Sequence, residues 1–245
     1  MTARLGLIIP SSNRMVEQEM VRYVPAGVQA HVARLRMSGR HHVPLTDLLP
    51  RIEEAARTLT DARCDVIAFH CTAASTEAGL EGEERALDAV ARGGAPQATT
   101  TATAIRRAFA ALGARRIVLI TPYDAATTEH ETAFLRTAGY DVLSATGFDL
   151  GGSDQFCATP APFWRDRTIA AARADADAYL ISCANIATFA VIAELEQELD
   201  RAVVTSNQAV LWDALRRLGC AERGACPGRL FDVAAVLPAR MASQA

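Results

Sequence analysis

The amino-acid sequence predicts an α/β protein of two pseudo-symmetric lobes, each a four-stranded parallel sheet flanked by helices, with a ligand cleft between them. Three observations carry this expectation. Arg4-Leu-Gly-Leu-Ile-Ile-Pro10 reappears as Arg116-Ile-Val-Leu-Ile-Thr-Pro122, 112 residues further on. The same offset carries Gly27 onto Gly139, Gly39 onto Gly151, Asp65 onto Asp177 and Cys71 onto Cys183. In both copies short, wholly apolar runs are separated by longer stretches of helical period, the pattern of strands buried on both faces by crossover helices. A period this long marks a duplicated lobe rather than a solenoid repeat.

Each lobe opens with a strand, Leu5 to Ile9 or Ile117 to Ile120, that ends in a proline loop. A helix follows at Val16 to Tyr23 or Glu129 to Ala138, then a second strand at Val28 to Leu35 or Asp141 to Ala145. A longer helix spans Leu45 to Ala62 in the first copy and Phe163 to Ala174 in the second. The third strand, Asp65 to His70 or Asp177 to Ser182, leads directly into Cys71 or Cys183. The fourth is Ala98 to Thr100 or Ala202 to Thr205, and here Ala98 to Ile105 aligns with Val204 to Leu211 at an offset of 106. An Ala/Leu-rich helix then ends at Gly113 or Gly219, a residue that accepts the positive φ of a helix terminus. The implied boundaries are lobe 1 at 1–113, joined by the C-terminal helix 207–245, and lobe 2 at 114–206. Ligands of such sheets sit beyond the carboxyl ends of the strands, where both proline loops and both cysteine loops fall.

Composition narrows the function. A chain of 245 residues, 50% hydrophobic and 22% charged, can bury a full core. Its 25 basic and 28 acidic residues leave a net charge of −3, which gives no electrostatic footprint for nucleic acid or an anionic membrane. No apolar run approaches the roughly 18 residues of a membrane span, and the opening run is too short for a secretion signal, so a cytoplasmic protein with a small-molecule partner is expected. No G-x-G-x-x-G follows a strand, and neither a P-loop nor a G-x-S-x-G elbow occurs, so nucleotide cofactors and serine hydrolase chemistry have no signal.

The six cysteines are too few for a disulfide scaffold in a chain this long. Cys71 and Cys183 each stand at the end of a buried strand before a small, polar segment, Thr-Ala-Ala-Ser-Thr76 or Ala-Asn-Ile-Ala-Thr188. For Cys71 that segment leads into a helix with Ser75 or Thr76 as the candidate cap, and Cys183 has the same setting. A thiol at such a turn is expected to have its pKa lowered from about 8.5 by backbone N–H groups and a helix dipole, which suits a base or nucleophile. Buried packing is the alternative for a single free Cys, and two at equivalent positions weigh against it. Facing lobes would bring the thiols to opposite sides of one cleft, where a proton can leave one face and return at the other. Cys64 reads as structural, Cys157 as part of a Gly/Pro-rich loop (151–162) able to cover the cleft, and Cys220 with Cys226 lacks the spacing and histidines of a zinc site. His41 and His42 read as a solvated loop without metal-ligand spacing, and His70 as a residue packed in or between the lobes.

Pro10-Ser-Ser-Asn13 and Pro122-Tyr123 bring hydroxyls, an amide and N–H groups to the ligand edge; they can clamp a carboxylate or, for Ser11, Ser12 and Asn13, cap a helix. Together with His70-Cys-Thr72, Ser182-Cys183 and Val203-Val-Thr-Ser-Asn-Gln208, these segments resemble the cofactor-independent Asp/Glu racemase superfamily, within it the maleate cis-trans isomerase and arylmalonate decarboxylase branch. The resemblance covers essentially the whole chain. It implies two flavodoxin-like lobes, no cofactor or metal, Cys71 and Cys183 as catalytic residues, and a small carboxylate or dicarboxylate as substrate. The substrate-binding set it suggests is Asn13, Ser11, Thr72, Ala73, Tyr123, Gln155, Ala184 and Asn207. Cys71 would be the nucleophile and Cys183 the acid/base, adding to and leaving a maleate-like double bond. Decarboxylases of the branch carry Gly at the first position, so two thiols favour isomerisation over decarboxylation, with racemisation a further alternative. Two departures stand out: Ser153-Asp-Gln155 replaces an Asn of the isomerases, and Cys157 to Trp164 is unusually rich in Pro and aromatics. A homodimer or higher homo-oligomer is the general expectation for a soluble enzyme.

Overall fold

Two four-stranded parallel sheets form from these apolar runs, in a computed structural model that describes residues 2–37 and 43–233. The first contains β1 (Ala3–Pro10), β2 (Val28–Leu35), β3 (Val66–Phe69) and β4 (Ala98–Thr100) in the order β2-β1-β3-β4. The second repeats it with β5 (Arg116–Thr121), β6 (Asp141–Gly147), β7 (Ala178–Ile181) and β8 (Ala202–Thr205) as β6-β5-β7-β8. The register carries the 112-residue offset: Leu5 pairs with Val66, and Ile117 with Ala178. The duplicated aspartates do the same job, Asp65 accepting the Arg4 N–H and Asp177 the Arg116 N–H, each at 2.8 Å.

Between the strands run α1 (Val16–Tyr23), α2 (Leu45–Asp61), α3 (Thr72–Thr76), α4 (Gly79–Arg92) and α5 (Thr101–Leu112) in the first lobe. The second lobe has α6 (Ala125–Thr137), α7 (Ser153–Ala158), α8 (Ala161–Ala170) and α9 (Ile192–Leu199), and α10 (Ser206–Arg217) follows its last strand. Several expected boundaries move for local reasons. α6 starts four residues before the predicted Glu129 because Asp124 caps it, accepting the Thr127 N–H at 2.8 Å. The helix expected at Phe163–Ala174 runs Ala161–Ala170, with Pro160 and Pro162 fitting a first turn whose N–H groups have no intrahelical acceptor. The helix expected over 207–245 ends at Arg217; residues 234–245 lie outside the described residues, as do His41 and His42.

The offset of 106 near the fourth strands also slips by one. Phe69 pairs with Thr100 and Ile181 with Thr205, and Thr100 and Thr205 both cap the next helix, so strand and cap are 105 apart. Gly113 and Gly219, both at φ +67°, remain 106 apart, and the extra residue is Leu218 at the end of α10.

Both faces of the first sheet are buried along its inner strands β1 and β3, as their apolar runs require, while the edge strand β2 is half-buried. Leu5, Leu7 and Ile9 of β1 enter a core shared with α1, α5, α10 and the strands of the second sheet. Ile8 points the other way, into a core with Leu48 and Ile52 of α2 and Ala86 and Val90 of α4. The lobes join through α5 and α10, which pack on each other, and α10 touches both β3 and β8. At this contact Asp213, 1% exposed, lies between Arg107 at 3.0 Å and Arg217 at 2.8 Å and accepts the Thr99 hydroxyl at 2.7 Å. No helix among the described residues is long and apolar enough to cross a membrane.

Asp213→Ala leaves two guanidinium groups half-buried without their anion, and a loss on the order of 3 kcal/mol is expected. Urea unfolding measures it, and Arg107→Ala, which leaves the Arg217–Asp213 pair, costs less.

Candidate active site

The carboxyl ends of both sheets meet at a cavity of about 230 Å³. That is below the usual range for drug-sized ligands and suits a small acid. The loop after β1 contributes Pro10, Ser12 and Asn13, the turn after β3 Cys71, Thr72 and Ala73, the loop after β5 Pro122 and Tyr123, and the turn after β7 Cys183, Ala184 and Asn185. Met37, Ser153 and Phe156 line it as well, with Glu77, Asp124, His130 and Asp149 completing its polar wall. Both predicted thiols therefore face one space, one from each lobe.

Their local settings differ. Cys71 is itself the extended residue before α3, and the Ala74 N–H bonds its sulfur. Ser75 and Thr76 lie inside that helix and donate to the Thr72 carbonyl, so they are not its cap. Cys183 is followed by an irregular turn instead of a helix, and its φ of +149° is a strained value for a residue with a Cβ. The strain aims the thiol into the cavity, where it takes the Asn185 N–H at 3.3 Å and the Tyr123 hydroxyl.

Cross-lobe bonds set the spacing. Ser206 Oγ, in the first turn of α10, accepts the Thr72 hydroxyl at 2.9 Å and the Cys183 N–H at 3.1 Å, so one oxygen ties the two cysteine turns together. Asn13 both caps α1, accepting the Met15 and Val16 N–H groups at 3.0 Å, and donates one amide N–H to the Ala184 carbonyl at 2.9 Å. The cap and the site role set out as alternatives thus coexist, and the second amide N–H remains for the cavity. The 151–162 segment contains α7, which bridges the lobes: Ser153 donates to Ser12 and Arg14 pairs with Asp154 at 2.6 Å, while within its own lobe Cys157 donates to Asn185 Oδ1 at 3.1 Å. Phe156 of α7 packs edge-on against Tyr123.

Burial, and not a helix dipole, governs the charges. It pushes the Cys71 thiol up to about 11 and Cys183 up to about 12, the latter against the pull of Tyr123 and the Asn185 N–H. The lowered pKa expected from the sequence is thereby reversed: both thiols are neutral in the unliganded site. Burial also lifts Glu19 and Glu131 to about 7 and drops His70 to about 4. His70 does sit between lobes, its Nδ1 2.9 Å from Thr101 Oγ1 and its Nε2 2.9 Å from Asn207 Oδ1.

Asn13, Cys71, Thr72, Ala73, Tyr123, Cys183 and Ala184 are brought together at the cavity, whereas Ser11, Gln155 and Asn207 are not among its lining. Ser11 is exposed, its hydroxyl accepting the Met37 N–H. Gln155 lies on the outer face of α7, and Asn207 is buried behind the site between His70 and Glu19. Sequence reading missed Asn185 and Ser206. Each lay inside a quoted segment, one residue from a chosen neighbour.

The arylmalonate decarboxylase family model matches residues 5–231. The chain is 27% identical over 229 residues to the maleate isomerase of Nocardia farcinica, covering 88% of this chain and 90% of that protein. It is 26% identical over 235 residues to the arylmalonate decarboxylase of Bordetella bronchiseptica, covering 94% and 97%. A solved mutant of the Nocardia farcinica maleate cis-trans isomerase with a covalently bound succinylcysteine intermediate superposes with a TM-score of 0.86 at 25% identity, covering 94% of this chain and 98% of that one.

Glu19 and Glu131 hold their protons more tightly folded, at about 7, than at the ordinary 4.5. The unfolded chain therefore ionises first, and stability falls as pH rises from about 4.5 to about 7, by on the order of 3 kcal/mol per group. Melting temperatures across this window test it, and Glu19→Gln removes its share of the slope.

Proposed function

Because the chain belongs to the arylmalonate decarboxylase family, we propose that it is a cofactor-independent cis-trans isomerase of a small unsaturated dicarboxylate, acting through Cys71 and Cys183. The observation that carries this reading is the pair of buried thiols, one from each lobe, lining one small cavity. A lone thiol would serve for protonation; two serve to add across a double bond and release it.

The reactive form is the monoanion of the pair. Cys71 Sγ adds to one alkene carbon, and the π electrons move to the neighbouring carbon as an enediolate. The Cys183 thiol protonates that carbon, which leaves a thioether on Cys71 and a single bond free to rotate. Cys183 thiolate then takes the proton back, the double bond re-forms in the trans arrangement, and Cys71 thiolate departs. Tyr123, hydrogen-bonded to Cys183, steadies its thiolate in the intermediate. The carboxylates are held by neutral donors: the Asn13 amide, the Tyr123 hydroxyl and backbone N–H groups of the two cysteine turns.

A second reading, decarboxylation of a substituted malonate, draws on the Bordetella bronchiseptica relative and the family description. It uses Cys183 as proton donor and gives Cys71 no covalent role. Carbon dioxide release from arylmalonates, undiminished by Cys71→Ser, would support it over isomerisation.

Maleate is expected to convert to fumarate, with Cys71→Ser inactive and Cys183→Ser slowed about 10²- to 10⁴-fold, the usual worth of a positioned proton donor. Full activity in both variants would sink the thiol mechanism. With thiols at about 11 and about 12, kcat/KM should climb with pH from about 7 to about 9, roughly tenfold per unit at most. A flat profile would mean a thiolate already formed at neutrality.

A further inference from the structure

Glu19 and Glu131 occupy the same position in the duplicated lobes, each buried on the helix that follows the first strand. Their surroundings are not the same. Both oxygens of Glu19 are used: one accepts the N–H groups of Thr188 and Phe189 at 3.1 and 3.3 Å, the other the Asn207 amide at 2.5 Å. Glu131 takes the Ser182 hydroxyl on Oε1 at 2.5 Å, while its Oε2 is buried with no hydrogen-bond partner among the described residues. Burying a carboxyl with one oxygen unsatisfied is destabilising, so a purely structural role does not account for it. Ser182 immediately precedes Cys183, whose strained backbone turns the second thiol into the cavity. In the first lobe the residue before the cysteine is His70, which is tied to Thr101 and Asn207 and not to the Glu19 carboxyl.

We propose that Glu131 is a positioning residue that makes the two thiols unequal: its carboxylate, tethered beneath the Cys183 turn by Ser182, keeps the proton on Cys183 and leaves Cys71 as the thiolate of the pair. The assignment rests on the thiol-pair reading above. When the pair becomes a monoanion, the proton lost to solvent is that of Cys71, and Cys183 stays the acid. The ionised carboxylate repels a charge on Cys183 and on Tyr123, raising both, whereas Cys71 is moved by burial, the Ala74 N–H and Glu77. The titratable groups around Glu131 are Tyr123 from the loop after β5 and Cys183 from the turn after β7, with Cys71 facing them from the other lobe. Glu77, Asp124, His130 and Asp149 stand on the cavity wall.

The test is alkylation by iodoacetamide as a function of pH, read cysteine by cysteine by peptide mass. In a Cys71→Ser background, Glu131→Gln should move the Cys183 profile about one unit to lower pH, a roughly tenfold gain in rate on the rising limb. In a Cys183→Ser background the same substitution should leave Cys71 where it was. An unmoved Cys183 profile, or an equal shift at both cysteines, overturns the proposal. Glu131→Gln keeps the side-chain volume and removes a buried acid, so melting should not fall. If it does not fold, Ser182→Ala carries the test, with a shift confined to Cys183 expected and no shift overturning it. Alkylation needs no substrate, so failure of maleate to turn over bears on the proposed reaction and leaves this assignment to be judged on its own data.

Discussion

One hydroxyl oxygen holds the geometry of the site. Ser206 Oγ receives the Thr72 hydroxyl from the first lobe and the Cys183 N–H from the second, so the turns that bear the two thiols share a common anchor. The anchor is itself fixed. It opens α10 directly after Thr205, whose capping box with Gln208 sets the helix entry, and α10 is clamped to α5 through Asp213 and its arginines. A thiol pair spread over two lobes needs such a chain of rigid supports, because sub-ångström errors in position are costly for the proposed addition across a double bond.

Duplication explains the architecture, and departures from it explain the chemistry. Arg107 of α5 and Asp213 of α10 stand at non-equivalent positions of the paired helices and meet as an ion pair, so the contact between the lobes joins opposite charges. Thr72 and Ala184 are equivalent, and only Thr72 can donate to Ser206. The pair Glu19 and Glu131 follows the same logic, one fully bonded and the other left with an oxygen unsatisfied. Pseudo-symmetry places the groups, and its breaking gives each a separate role.

Much of this was legible in the residues. β2, β4, β8 and α1 fall on the expected boundaries, β8 because a strand buried along its whole length reads as an apolar run and α1 because its buried residues lie on one face. Short helices did not: α3 has five residues and α7 has six, too few for a period to show. The one-residue slip between offsets 105 and 106 was hidden because low-identity repeats align on whichever residues happen to match. At the site, Cys71, Cys183, Asn13 and Tyr123 were readable from their places at strand ends. Asn207 and Ser206 were confused because both follow β8 in one segment, and only a structure tells which of two neighbours ties the cysteine turns together and which bonds His70 and Glu19.

The reversal of the thiol pKa direction has the same origin. Sequence shows a cysteine at a strand end and invites a dipole argument, which amounts to a small stabilisation that fades within a turn. Burial of both lobes' turns against each other is invisible locally, and desolvation outweighs the dipole. The result is a site whose two thiols and phenol are held neutral by burial, with Glu77, Asp124, His130 and Asp149 on its wall and no arginine among the described lining residues. A substrate that brings its own negative charge meets amide, hydroxyl and N–H dipoles already oriented by the fold, which need no reorganisation as charge develops. Keeping both sulfurs neutral until a substrate is bound also protects them, since oxidation and stray alkylation require the thiolate. High thiol pKa values are therefore compatible with the proposed reaction, which uses one thiolate at a time and passes a proton out of and back to the other sulfur.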